Sequence, residues 1–120
     1  MGEKQLGLAV LVALTLSHVA VQVLKRAVAR PRPCDANGHP LALIHLPDPY
    51  SFPSGHAAAV SAIATTLVVC EPIVGVLIVP IAALVSASRV ALRVHHIGDV
   101  VVGAALGVAG GIASVVLLGP

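Results

Sequence analysis

Residues 6–24 read LGLAVLVALTLSHVAVQVL, a run with no charged side chain. Coiled as a helix at 1.5 Å per residue it is about 28 Å long, close to the hydrocarbon thickness of a bilayer. No small-residue cleavage site leads from it into a soluble domain, so it reads as a membrane helix rather than a signal peptide. Working outward, three more apolar runs follow: Ala57–Cys70, Ile73–Ala87 and Val100–Leu118. The whole chain is 58% hydrophobic and 10% charged, with a mean hydropathy of +1.01. A soluble domain carries about 25% charged residues, so this composition cannot cover a water-facing surface. The fold class expected is an all-α integral membrane bundle of about four transmembrane helices. It forms one membrane-embedded domain, residues 1–120, in a multi-pass protein of the cell membrane. The net charge of +2 is too small to argue for a nucleic-acid partner. Cys34 and Cys70 make no disulfide framework and are expected to be free thiols.

The charges are few but concentrated. Six of the seven Lys and Arg residues lie in two clusters, 25–32 and 89–93. With four crossings, the end of helix one, the start of helix two, the end of helix three and the start of helix four share one membrane face. That face collects Lys25–Arg32, Ser54–His56, Arg89 and His95–Asp99. The far face holds only Glu3, Lys4 and Glu71. Residues 34–52, rich in Pro, Asp, Asn and His, read as a connector or lid on the charged face. Pro80 is expected to kink helix three. Gly103 and Gly107, four apart, suit close helix packing. Thr15, His18 and Gln22 fall on one side of helix one and are expected to meet other helices.

Burying ionisable groups beside so much aliphatic surface costs several kcal/mol, roughly, unless they are paired or used. Lys25, Arg32 and Arg89 can surround a tetrahedral dianion, the two arginines with fork geometry. Pairing all three internally would need three carboxylates, and Asp35, Asp48 and Asp99 are the ones on that face. Ser54 and Gly55 precede a helix, where a hydroxyl and free backbone N–H groups make an anion site. His95 and Asp99 are i and i+4, so on a helix Asp99 would hold one nitrogen of His95 and leave the other as nucleophile. His56, from another helix, can protonate a leaving oxygen. His96 competes with His95 for Asp99. A metal held by His56, His95, His96 and Asp99 is opposed by three flanking cations, and no metal or cofactor is expected. Arg26, Arg30 and Arg93 read as headgroup anchors, and His39 and His45 as loop residues.

Lys25-x6-Arg32-Pro33, Pro53-Ser54-Gly55-His56 and Ser88-Arg89-x5-His95-x3-Asp99 together resemble the three-part signature of the type 2 phosphatidic acid phosphatase family. That superfamily also includes bacterial acid phosphatases, glucose-6-phosphatase and vanadium haloperoxidases. The resemblance covers residues 25–99. It implies an all-helical fold and metal-independent hydrolysis of a phosphomonoester or diphosphate of a membrane lipid through a phosphohistidine. It implies His95 as nucleophile, Asp99 as its partner and His56 as general acid. Lys25, Arg32, Ser54, Gly55 and Arg89 match the phosphate binders. Membrane members usually have six helices, and this chain resembles the last four.

Phosphatidic acid, phosphatidylglycerol phosphate and polyprenyl phosphates all fit the expected substrate. Two other readings stay open: vanadate-dependent haloperoxidase activity on the same anion site, and a non-catalytic phospholipid-binding protein. The polar side of helix one leads to an expected homodimer through that helix, each chain carrying a complete site. Arg26, Arg30 and Arg93 against Lys4 would place the charged face in the cytoplasm, whereas the resemblance suggests an outward-facing site.

Overall fold

A computed structural model describes residues 1–46 and 48–119. The elements are four helices: α1 (Glu3–Val28), α2 (Gly55–Cys70), α3 (Pro72–Ala91) and α4 (Ile97–Leu118). Each apolar run is extended at the charged face by part of its flanking motif. α1 continues past Leu24 and takes Lys25 and Arg26 into its last turn, where cations complement the helix dipole. It stops at Ala29, which adopts the left-handed conformation and donates its N–H to the Lys25 carbonyl. Pro31 next disfavours helix at Arg30. Ser54 caps α2, its Oγ accepting from the Ala57 N–H at 3.2 Å. α3 starts on Pro72 and carries Arg89 in its final turn. α4 begins at Ile97, so Asp99 lies in its first turn.

α1, α3 and α4 are long and apolar enough to cross a membrane. α2, at 16 residues, spans about 24 Å and is the shortest, but it is the centre of the bundle. It packs on α1, α3 and α4, and α4 also lies against α1. The expected parity holds: the turn at Glu71 sends α2 and α3 antiparallel, and the loop ends of all four helices gather at one end. α3 remains one helix through Pro80.

The buried apolar residues are small: Ala9, Ala13, Ala57, Ala58, Ala62, Ala64, Ala82, Val21 and Val94. Ile73, Leu77, Leu84, Val116 and Leu117 point outward instead. Lipid is as apolar as leucine, so nothing drives large side chains inward, and close backbone approach supplies the packing. Gly103 and Gly107 show this directly. A Cβ at Gly103 would collide with the carbonyl of Ser54, the cap of α2, and one at Gly107 with the carbonyl of Ala58 within α2. Ser114 Oγ also donates to the Ala9 carbonyl at 2.7 Å, tying α4 to α1.

The described residues of 29–46 and 48–54 fold back over the loop end of the bundle. They carry isolated bridges between Pro31 and Tyr50 and between Cys34 and Pro40, and the Phe52–Pro53 peptide is cis. The Leu43 N–H donates to Leu92 O at 3.0 Å and the Ser51 N–H to Arg30 O at 2.8 Å. Cys34 and Cys70 are free thiols.

Candidate active site

A cavity of about 380 Å³ opens at the loop end of the bundle. Lys25 from α1, Arg32 from the loop, Gly55 and His56 from α2, Arg89 from α3 and His95 from the α3–α4 turn all line it. Residues scattered over 71 positions of sequence thus share one wall because four helix ends converge there. Ser54 and Asp99 lie behind that wall. Ser54 is fully buried, its hydroxyl engaged as the α2 cap and its N–H donated to the Asp99 carbonyl at 2.9 Å. The anion-binding capacity of this helix start therefore rests on the N–H groups of Gly55 and His56, which precede the first intrahelical bond.

Arg89 is only 7% exposed, yet its Nε and Nη2 are buried without a hydrogen-bond partner among the described residues. Arg32 is held from both sides: its Nε donates to Asp48 O at 2.8 Å and its Nη1 to Val94 O at 2.9 Å. Burial and the nearby Arg89 lower the Arg32 guanidinium from its ordinary value, although it stays cationic near neutral pH. Lys25 forms an ion pair with Asp48. Burial pushes the Asp48 carboxyl up, but the Lys25 ammonium, the Tyr50 N–H at 2.8 Å and Arg32 outweigh it and hold the carboxyl below its usual range. Of the three cations, then, one is paired by a loop carboxylate, one is positioned by carbonyls, and one is left without an acceptor on two of its nitrogens.

His95 is 4% exposed, and its surroundings define its tautomer. Nδ1 lies 2.7 Å from the Ser51 carbonyl, which can only accept, so Nδ1 carries the hydrogen. Nε2 is then a lone pair, 3.3 Å from Arg32 Nη1. Burial, with the Arg32 charge next, lowers the pKa of this imidazole to about 4. His95 is thus neutral at physiological pH, with its free nitrogen at a cationic wall.

The link expected between His95 and Asp99 is made differently. α4 starts after His95, so the two are not on one helical turn. Nδ1 is 3.7 Å from Asp99 Oδ2, too far for a hydrogen bond, and the Ser51 carbonyl takes that place. Asp99 is fully buried and accepts instead from the His96 backbone N–H at 2.7 Å, from His96 Nδ1 at 3.1 Å and from Arg30 Nη1 at 3.3 Å. It ties the start of α4 to Arg30 in the loop just after α1 and places a negative charge just beyond hydrogen-bond reach of His95. Arg30 is therefore more than a headgroup anchor, and His96 takes the contact read for His95. His96 and Asp99 do not line the cavity that His56 and His95 share, and among the described residues no three His, Cys, Asp or Glu side chains group to hold a metal.

Sequence reasoning missed two kinds of participant. The Ser51 carbonyl is backbone, and only the path of the loop brings it to His95. His18 and Gln22, read as helix-packing residues, line the cavity beside Lys25. Their spacing of 18, 22 and 25 was the available signal, since it puts all three on one side of α1.

The PAP2 superfamily profile matches residues 6–119. The chain is 35% identical over 108 residues to an undecaprenyl-diphosphatase of Sulfolobus acidocaldarius, covering 87% of this chain and 51% of that one. It is 40% identical over 91 residues to a decaprenylphosphoryl-5-phosphoribose phosphatase of Mycolicibacterium smegmatis, covering 73% and 47%. The chain thus spans about half the length of the curated relatives it matches. Among solved structures it resembles Aquifex aeolicus LpxE, with a TM-score of 0.81 and 31% identity over 94% of this chain and 68% of that one. It also resembles a transmembrane PAP2 type phosphatidylglycerolphosphate phosphatase from Bacillus subtilis, with a TM-score of 0.76 and 30% identity over 92% and 58%.

Proposed function

The chain belongs to the PAP2 superfamily, and from that premise we propose that it hydrolyses the phosphate ester of a membrane lipid, without a metal, through a phosphohistidine on His95. The observation that carries the reading is the buried Arg89 guanidinium with two unpaired nitrogens on a cavity shared with Lys25, Arg32 and the unprotonated Nε2 of His95. A buried cation without an acceptor is costly, and an incoming phosphate supplies the oxygens it lacks.

In the first step Nε2 of His95 attacks phosphorus and the bond to the lipid oxygen breaks. His56, protonated once the bound phosphate dianion offsets the cations around it, gives its proton to that oxygen, which leaves as an alcohol. The ring becomes cationic as the bond forms. The Ser51 carbonyl keeps hold of Nδ1–H, and the Asp99 carboxylate 3.7 Å away offsets the new charge. In the second step water attacks the phosphohistidine, His56 takes the water's proton, and phosphate and neutral His95 are regenerated. Lys25, Arg32 and Arg89 neutralise the equatorial oxygens throughout, joined by the Gly55 and His56 N–H groups. Phosphate must displace the Asp48 carboxylate from Lys25 to make that contact.

The names of the relatives, together with the membrane setting, support a lipid phosphate or diphosphate of polyprenyl or glycerolipid type as substrate. Purified protein is expected to release phosphate from such lipids in EDTA, to be inhibited by vanadate, and to lose turnover in His95→Ala. His56→Ala is expected to impair alkyl phosphates far more than aryl phosphates, whose leaving group needs no proton. Activity abolished by chelator and restored by magnesium would rule out the mechanism, and equal losses on both ester types would rule out the role of His56.

A further inference from the structure

We propose that His18 and Gln22 form a second polar subsite, which reads a neutral hydrogen-bonding group, sugar hydroxyls or glycerol esters, between the scissile phosphate and the lipid tail. The inference rests on the phosphatase reading and adds the part of the substrate that the site selects. His18 and Gln22 line the same cavity as Lys25, on the same side of α1. At 1.5 Å per residue Gln22 lies about 4.5 Å and His18 about 10.5 Å further into the membrane than Lys25. The cavity is larger than the phosphate needs. Five heavy atoms at about 30 Å³ each, the share of a water in the liquid, come to about 150 Å³, against the 380 Å³ present.

His18 is also where the cavity meets a second space. A groove of about 330 Å³ between α1 and α2, lined by Leu14, Thr15, Ser17 and Ala58, shares His18, Val21, Gly55 and Ala59 with it. A lipid with its phosphate at Arg89 and its chain in this groove runs along His18 at the junction, with Gln22 beside it on the cavity side. The larger space between α2, α3 and α4, of about 540 Å³, shares no lining residue with the cavity and lies off this path.

The chemistry of the subsite follows from its side chains. An imidazole and a carboxamide donate and accept hydrogen bonds without adding a fixed charge. Neither makes a hydrogen bond to another described residue, so both are available to a ligand. A diphosphate's second phosphate stays next to the first and within reach of the same cations, so what lies deeper, at Gln22 and His18, is the part of the substrate that needs no cation.

The test compares kcat/KM on four substrates in detergent: dodecyl phosphate, farnesyl diphosphate, dioctanoyl phosphatidic acid and octyl glucoside 6-phosphate. In His18→Ala and in Gln22→Ala, the ratio of kcat/KM for a linker-bearing ester to that for dodecyl phosphate is expected to fall about tenfold, mainly through KM, as for one lost hydrogen bond. Whichever of the glycerol and sugar substrates shows the fall identifies the linker. Equal losses on all four substrates, no loss on any, or a loss confined to farnesyl diphosphate would overturn the subsite while leaving the phosphatase reading intact. Failure of the wild type to hydrolyse any of the four substrates would overturn both.

Discussion

At the scale of single residues, His95 carries the clearest consequence. Its pKa is lowered to about 4 by burial and by Arg32, against an ordinary value near 6.5. Between these values the unfolded chain binds the proton and the folded chain does not. Stability therefore falls as pH drops from about 6.5 to about 4, by a few kcal/mol at the lower end. Imidazole NMR is expected to show His95 titrating near pH 4, and the thermal midpoint of His95→Gln is expected to depend less on pH in that window than the wild type. Titration near 6.5 would mean that the ring is not held neutral by its surroundings. That this residue reaches the cavity was legible in the sequence, through the spacing of Arg89, His95 and Asp99. Its partner was not. The i, i+4 rule presumes a helix through both positions, and the chain stays irregular until Ile97, which leaves Nδ1 to the Ser51 carbonyl.

At the scale of elements, the site depends on how closely α4 lies against α2. Gly107 packs where a Cβ would also come within 2.7 Å of Ser61 Cβ and 2.9 Å of the Ala62 nitrogen. Gly107→Val is expected to separate the two helices and shift the N-terminus of α2, with Gly55 and His56, away from His95. Overpacking of this kind costs about 1–3 kcal/mol, so both the melting temperature in detergent and turnover should drop. Gly7, on open surface, serves as the control, and Gly7→Val should change neither. Equal behaviour of the two variants would contradict the close α2–α4 contact. The four helices themselves were readable because long uncharged runs have few alternatives in a bilayer. Their ends were less so: Lys25, Arg89 and Asp99 are charged, and charge at a helix end does not distinguish its last turn from the loop beyond it. Pro80 lies inside α3, which continues on both sides of it.

At the scale of the whole molecule, helix parity alone brought the motif residues to one face, and for that reason the gathering of the site was legible before any geometry. Assembly was not, because a polar residue on a membrane helix can face a partner, its own bundle or a cavity. The stripe on α1 is divided among these: Thr15 Oγ1 donates to the Leu11 carbonyl, while His18 and Gln22 line the cavity. The two-fold dimer expected through this stripe is a proposal that rests on Thr15 and the exposed apolar residues beside it, Leu8, Leu11, Val19 and Val23. Every residue assigned to the reaction comes from one chain, so such a dimer holds two independent sites. Mass measurement in mild detergent is expected to give twice the chain mass, with cysteines at positions 15 and 19 crosslinking across the two-fold axis. Mixing His95→Ala chains with His56→Ala chains is expected to restore no activity, since neither variant can borrow the missing imidazole. Recovery of turnover on mixing would show that the site is shared between chains, and a fully active monomer without crosslinks would remove the dimer.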